Sequence, residues 1–394
     1  MEAVTDVVFR HVVKQAGAPD VFFTEFANAT GWVHAGDKAI AGRLIKTDDE
    51  HPLVAQIWGG EPGDMEQFAA HCARLGFDGI DINMGCPAKS AIKSGGAALI
   101  RRPDVAVAAI QAAKTAGLPV SVKTRLGYTH VNEWREWLST LLAQNLANLT
   151  IHLRAKKEMS KVPAHYELID DIVKLRDEIA PQTLLTINGD IRNRAHGEEL
   201  ARQHPGINGI MIGRGIFSDP FCFACTGARA SHKTIRDPRQ SQIFSEMPLA
   251  SDASTAAPPA LEAVKRSRGA DVSAERSRSI SSGDTSEKST PEKECGAGDA
   301  NFADDVRGVS ETTRKEYSEE VKIPVADHKQ ELIKLLNYHL NLFDHYQPTL
   351  GRPFETLKRF FKIYIRDFDG AKELRDQLMH TKNTSEVRQI LEKI

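Results

Sequence analysis

The chain has 394 residues, 41% of them hydrophobic and 26% charged, and a formal net charge of -2. That length holds one large domain and a small one, and the balanced charge excludes a globally basic protein, so any nucleic-acid contact has to come from local clustering. There is no apolar run of the roughly 18 residues a membrane span needs, no signal peptide in residues 1–10 with their Glu2 and Asp6, and no disulfide framework in five irregularly spaced cysteines, so a reduced, cytoplasmic protein is expected.

An N-terminal helix is predicted over residues 6–16. Seven β-rich runs follow, at 21–26, 53–58, 79–84, 119–123, 149–153, 184–188 and 209–212, rich in Val, Ile, Leu and Thr and punctuated by Gly, Pro or polar residues. Helical patterns lie between them at 64–75, 104–116, 133–144, 166–179 and 192–203. The first carries Met65, Phe68, Ala69, Cys72 and Leu75 on one face. Strand–helix alternation of this kind predicts a parallel sheet with helices outside it, either an open doubly wound sheet or a (β/α)8 TIM barrel. The chain begins at what would be the end of a barrel's first strand, so that strand is expected to lie upstream or to be missing.

Residues 1–227 are read as this catalytic domain. Residues 228–324 change in kind: 275–289 reads ERSRSISSGDTSEKS, which cannot bury enough apolar surface to offset its ordering entropy, and a disordered linker is expected. Residues 325–394 regain helical periodicity. Leu332, Leu335, Leu336, His339, Leu340 and Phe343 mark one helix, Leu357, Phe361 and Ile365 a second, and 369–394 one or two more. A small all-α domain is predicted there.

Polar residues collect at the ends of the predicted strands: Gln56, then Asn83 and Cys86 in DINMGCP, Lys123 in SVKTRLG, His152 and Arg154 in TIHLR, Asn188, Gly189 and Asp190 in TINGD, and Gly213 and Arg214 in MIGRG. Carboxyl ends of successive parallel strands converge on one face of a barrel, whereas an open sheet gathers only those near its switch point. Six such ends favour the barrel. The glycines at 189, 213 and 215 suit a phosphate held by backbone N–H groups and helix N-termini, although glycine turns alone have the same sequence.

These segments, with MEAVTDVVFR at 1–10, VAQIWG at 54–59, DINMGCPAKSAIKSGGAALIRRP at 81–103 and GIMIGRGIFSDPF at 209–221, resemble the tRNA-dihydrouridine synthases. The resemblance implies FMN over the carboxyl end of the barrel. Met1, Glu2 and Ala3 would touch its ring, Gln56 and Lys123 its polar edge, and His152 the ring or phosphate. Asn188, Gly189, Asp190, Gly213 and Arg214 would carry the phosphate and ribityl contacts. It also implies NADPH or NADH as reductant, no metal, a monomer, and tRNA as partner. Hydride passes to C6 of a uracil ring and an acid protonates C5. Cys86 is placed for that proton, since a thiol with a pKa near ~8.5 is protonated at neutral pH yet able to give the proton up. Asn83 and Arg154 are read as substrate contacts, Arg154 with a salt bridge as its plain alternative.

Lys358, Lys362 and Arg366, at i, i+4 and i+8, line one helix face beside Leu357, Phe361 and Ile365. They are expected to bind RNA phosphates in a salt-dependent way, with a solvated helix face as the alternative. Cys222 and Cys225 form a CxxC without a second pair, which reads as structural. Lys123 also fits a Schiff-base lysine. The competing functions are a flavin reductase of free pyrimidines, which leaves the basic C-terminal helix unexplained, and a tRNA-binding protein whose truncated barrel has weakened catalysis.

Overall fold

The computed structural model describes residues 1–224 and 325–394. The linker expected over 228–324, and Cys225, lie outside the described residues.

Helix α1 (Val7–Gly17) opens at Asp6, whose carboxylate accepts the Phe9 N–H at 2.9 Å. The edge of the sheet comes next, as two short pieces, β1 (Phe22–Phe23) and β2 (Ala27–Asn28), both pairing parallel with β3 (Leu53–Trp58). One strand was predicted over 21–26. Thr24 accounts for the break: its hydroxyl accepts the Gln56 N–H at 2.9 Å and donates to the Glu25 carbonyl at 2.8 Å, so a side chain takes over part of the backbone ladder. Helices α2 (Ala29–Ala35) and α3 (Asp37–Ile40), which the periodicity did not reveal, lie between β2 and β3.

The chain then repeats one unit. Helix α4 (Pro62–Arg74) leads to β4 (Gly79–Asn83). The short α5 (Lys89–Ile92), a 3-10 turn at Gly96–Arg101 and α6 (Pro103–Lys114) lead to β5 (Val120–Arg125). Helix α7 (Trp134–Leu142) precedes β6 (Asn148–His152), α8 (Ile169–Ile179) precedes β7 (Leu184–Asn188), and α9 (Arg194–Gln203) precedes β8 (Gly209–Met211). From β3 to β8 each strand lies parallel beside its predecessor, in chain order. Among the described residues there is no reversal of order and hence no switch point, so the topology is that of the TIM barrel and not of a doubly wound sheet. Strands β3 and β4 are buried on both faces, as strands enclosed by helices outside and barrel core inside must be.

The C-terminal helices are α10 (Val325–Leu350), α11 (Glu355–Lys358), α12 (Phe361–Tyr364), α13 (Ala371–Met379) and α14 (Thr384–Leu391). The continuous helix predicted through Leu357, Phe361 and Ile365 is instead two single turns. Phe360, Phe361, Ile363, Tyr364 and Ile365 are all buried and only Lys362 between them is exposed, so packing, not helical periodicity, sets the path of this segment.

Two cores result. One fills the sheet and the inner faces of α4, α6, α7 and α8. The other joins Val4, Val7, Val8, Phe9, Val12 and Val13 at the start of the chain to Leu335, Leu336, Leu340, Phe360 and Phe361 near its end, with Ile216 and Cys222 after β8. Strands and C-terminal helices belong to one compact unit. Among the described residues no helix is long and apolar enough to cross a membrane.

Candidate active site

The carboxyl ends of β3 to β8 carry the polar residues singled out in the sequence. Gln56 on β3 is nearly buried. Its Nε2 donates to Asp81 Oδ2 at 2.7 Å and its Oε1 accepts from Asn83 Nδ2 at 3.1 Å. Asp81, two residues before Asn83 and so on the same strand face, is fully buried and also accepts from Ser121 Oγ at 2.6 Å. Burial raises its pKa against those two hydrogen bonds. Gln56 is thereby fixed in orientation with one N–H and one lone pair to offer elsewhere.

Cys86 leaves the end of β4 on a turn that Asn83 builds. Asn83 Oδ1 accepts the N–H of Gly85 at 3.1 Å and of Cys86 at 3.0 Å. The Cys86 carbonyl accepts the Ala97 N–H at 3.0 Å, past Gly96. Gly96 has φ +56, and a Cβ there would lie 2.9 Å from the Cys86 carbonyl, so that contact requires glycine. The half-buried thiol has a raised pKa. Burial dominates, the Glu2 carboxylate adds to it, and Arg125 and Lys123 oppose it. The group is a thiol, not a thiolate, at neutral pH. Cys72 and Cys222, in contrast, are pushed up to about 12 by burial and sit in the cores.

Lys123 on β5 donates to Asn188 Oδ1 at 3.1 Å, and Asn188 Nδ2 donates to the Met211 carbonyl at 2.8 Å, linking β5, β7 and β8. Burial, helped by Arg125, lowers the ammonium to about 8. Arg125, two residues on, was not singled out in the sequence, although the two-residue period of the strand is the signal that places it beside Lys123. Its Nε donates to the Gly85 carbonyl at 2.9 Å, and its Nη1 reaches the carbonyls of Ala155 and Met159 at 3.3 and 3.2 Å.

His152 ends β6. Burial drives its pKa well below the usual value, and Arg125, Lys123, Arg154 and Arg214 push the same way, so the ring is neutral. Arg154 is almost fully buried. Its Nε donates to the Val162 carbonyl and its Nη2 to Asp190. Its ion pair with Asp190 is buried on the Arg154 side, not the surface salt bridge of the alternative reading, and its Nη1 is left over. Asp190, at φ +53, also accepts the Ala164 N–H at 2.9 Å and faces Arg214 at 3.6 Å. Burial acts to raise its carboxyl, but the bonds from Arg154 and Ala164 prevail and hold it low. Gly189, at φ +122, offers its carbonyl to Tyr166 Oη at 2.6 Å, and a Cβ would meet Ala164 at 3.1 Å. Gly213 leads into the 3-10 turn Arg214–Phe217.

Two buried polar atoms in this cluster, His152 Nδ1 and Arg154 Nη1, have no hydrogen-bond partner among the described residues. Lys123, Arg125, Arg154 and Arg214 gather around them; Asp190 serves Arg154 and Arg214, while Asp81 acts on Lys123 and Glu158 on Arg125. Surplus positive charge, unsatisfied buried polar atoms and glycine turns together suit a bound anion. Among the described residues no group of His, Cys, Asp and Glu is arranged to hold a metal.

The first residues reach this rim as well. Glu2 pairs with Arg43, and Ala3, at φ +55, offers its carbonyl to Arg359 Nη1 at 3.2 Å. The C-terminal basic residues do not form one free face. Lys358 lies over the Phe354 ring, Lys362 lies 5.3 Å over the Phe217 ring, and Arg366, beyond the end of α12, donates to the carbonyls of Phe217 and Ser218. Arg352 reaches Asp6 at 2.7 Å and also Glu25, which is fully buried at the end of the edge strand.

The class is thus a parallel α/β barrel with a thiol, a lysine and a cluster of cationic side chains on its carboxyl face, with helices packed against the start of the chain. Comparison with known proteins makes this specific. The dihydrouridine synthase family model matches residues 1–261. The chain is 45% identical to "Probable tRNA-dihydrouridine synthase 2" of Bacillus subtilis (strain 168) over 394 residues, which is all of this chain and 91% of that protein. It is 42% identical to "Probable tRNA-dihydrouridine synthase" of Staphylococcus aureus (strain N315), again over its whole length and 90% of the relative. The chain belongs to the dihydrouridine synthase family.

Proposed function

We propose that the chain reduces the C5–C6 double bond of uridine in tRNA, with FMN as cofactor and NADPH or NADH as reductant. The observation that carries this reading is Cys86: a protonated, half-buried thiol pinned at a strand end by Asn83 and Ala97, on the same rim as Gln56, Lys123 and the anion-binding cluster.

The residues present fit FMN. Arg154 Nη1 is a donor in want of an acceptor, His152 Nδ1 can donate in one tautomer of its neutral ring, and a phosphate beside them would meet the surplus charge of Lys123, Arg125 and Arg214. Asn188, Gly189, Asp190 and Gly213 would frame the phosphate and ribityl chain. Met1, Glu2 and Ala3 would border the ring, and Gln56 would offer its free N–H and lone pair to the ring's polar edge. When bound, FMN supplies the hydride that adds to C6. Cys86 then protonates C5, and its raised pKa keeps the proton in place until a basic carbon is presented. Asn83 sets the direction of the thiol through the backbone it holds, and Asp81 sets that of Gln56. Arg154 holds the Asp190 loop. A cytoplasmic, monomeric protein completes the reading.

The test is dihydrouridine formation on unmodified tRNA with FMN and NADPH, comparing wild type with Cys86→Ala. The wild type should form product, and the variant should lose about 10²- to 10⁴-fold in kcat, the usual worth of a positioned acid, while retaining tRNA affinity. Full activity in the variant would remove Cys86 from the mechanism. No product from the wild type, alongside intact tRNA binding, would instead favour a protein that binds tRNA without reducing it.

A further inference from the structure

Arg101 closes the 3-10 turn after the Cys86 loop, and Lys156 lies in the loop after β6. The two converge on one aromatic ring. Arg101 Cζ is 5.1 Å and Lys156 Nζ 4.9 Å from the centroid of Tyr128, in the loop after β5. Backbone bonds lock these loops together. The Lys156 N–H donates to the Gly127 carbonyl at 2.8 Å and the Lys157 N–H to the Tyr128 carbonyl at 3.0 Å. Tyr128 is three residues beyond Arg125, which itself holds the Gly85 carbonyl next to Cys86 and the Ala155 carbonyl next to Lys156. The cation pair is therefore on the rim of the same mouth as the thiol, fixed to it through short, hydrogen-bonded links.

Two like charges drawn to one ring repel each other, and neither Arg101 nor Lys156 has a carboxylate partner among the described residues. Lys89, Lys93, Arg102, Lys157 and Lys161, on the same two loops, have none either, and all five are exposed. The acidic residues near them in sequence do not pair with them: Asp104 is exposed and makes no ion pair with Arg101 or Arg102 among the described residues, Glu133 accepts the N–H groups of Tyr128, Thr129 and His130, and Glu158 accepts from Ala155 and pairs with His165. A ring quadrupole offsets the repulsion only partly. An anion between the two cations would complete the arrangement.

We infer that Arg101, Tyr128 and Lys156 form a preset clamp for a phosphodiester of the RNA backbone beside the uridine that enters the mouth. The inference rests on tRNA being the substrate and adds to it a binding site on the barrel itself, apart from the C-terminal helices. Tyr128 is a positioning residue: its ring orders two long side chains that otherwise carry high rotamer entropy, and the cations make the contact.

The test uses the full-length holoenzyme with unmodified tRNA, and compares wild type, Arg101→Ala/Lys156→Ala, Tyr128→Leu and Tyr128→Phe. Flavin content and thermal stability report whether each folds. Removing both cations should weaken tRNA binding about tenfold at roughly 0.1 M salt, and should lower the slope of log affinity against log salt by about 0.7 to 0.9, the worth of one phosphate contact. KM for tRNA should rise and kcat should stay. Tyr128→Leu should cost about two- to fivefold in affinity and Tyr128→Phe nearly nothing, because the ring and not the hydroxyl holds the cations. An unchanged salt slope in the double variant overturns the inference, as does an equal effect of Leu and Phe. A rise in KM for NADPH with tRNA affinity unchanged would assign the clamp to the phosphates of the nicotinamide nucleotide and overturn it too. Failure of the wild type to reduce tRNA is read separately, as failure of the underlying reading.

Discussion

At the scale of single residues, the site is built from hydrogen bonds that set direction and burial that sets protonation. Asn83 does the first for Cys86. Asn83→Ala leaves two backbone N–H groups without their acceptor and frees the turn, so kcat is expected to fall about ten- to a hundredfold, since small misplacements of a catalytic group have that effect. The check is single-turnover dihydrouridine formation at saturating tRNA; an unchanged rate would mean that Ala97 alone fixes the turn. Lys123 shows the second. Its pKa falls to about 8 in the folded protein from an ordinary 10.5. Between those values the unfolded chain holds a proton that the folded chain does not, so this residue makes stability rise with pH across that window. Lys123→Met should remove that rise, measured as the wild-type-minus-variant difference in urea stability from about pH 7 to 10. A difference that stays flat with pH would show that the amine is not desolvated. Strand-end position made nearly all of these residues legible in the sequence. Arg125 and Asp81 were equally legible by the two-residue period, but they lie beside residues that had already drawn attention.

At the scale of elements, what joins them is less legible. Arg352 follows α10 and binds Asp6, the cap of α1, and Glu25, at the end of the edge strand. Its partners lie more than three hundred positions away in sequence, and local periodicity carries no trace of such a pairing. All three side chains are largely buried, and burial raises Asp6 even with the guanidinium beside it. Arg352→Ala would leave two buried carboxyl groups uncompensated, at a cost of about 3–5 kcal/mol in unfolding free energy. Arg352→Lys should recover little, because a point charge cannot replace the fork that serves two carboxylates. Equilibrium denaturation reads both, and a loss under about 1 kcal/mol would place the cluster with weak surface pairs. The basic C-terminal residues were read from spacing as one helix face. That spacing assumed a continuous helix, and the segment of Phe360, Phe361, Ile363, Tyr364 and Ile365, buried but for Lys362 between them, breaks it.

At the scale of the whole molecule, barrel topology followed from the sequence because strand–helix alternation and strand-end chemistry pointed to the same face. The second core did not follow, because apolar stripes do not name their partners. That core makes α1 and the C-terminal helices interdependent, so the barrel and the helices should unfold in one transition. All four tryptophans, at 32, 58, 134 and 137, are in the barrel, so their fluorescence should follow the same urea curve as hydrogen exchange at Leu336 and Leu340 in α10. Two separate midpoints would show that the helices are an independent unit. The same core also imposes a waiting time during synthesis. Val7, Val8, Val12 and Val13 leave the ribosome well before their partners from Leu335 onward. Roughly 320 residues come between, and at about 5 to 20 residues per second that is some 16 to 64 seconds. For that interval the nascent chain carries an uncovered valine stripe, which a holdase chaperone can shield until the final helices arrive.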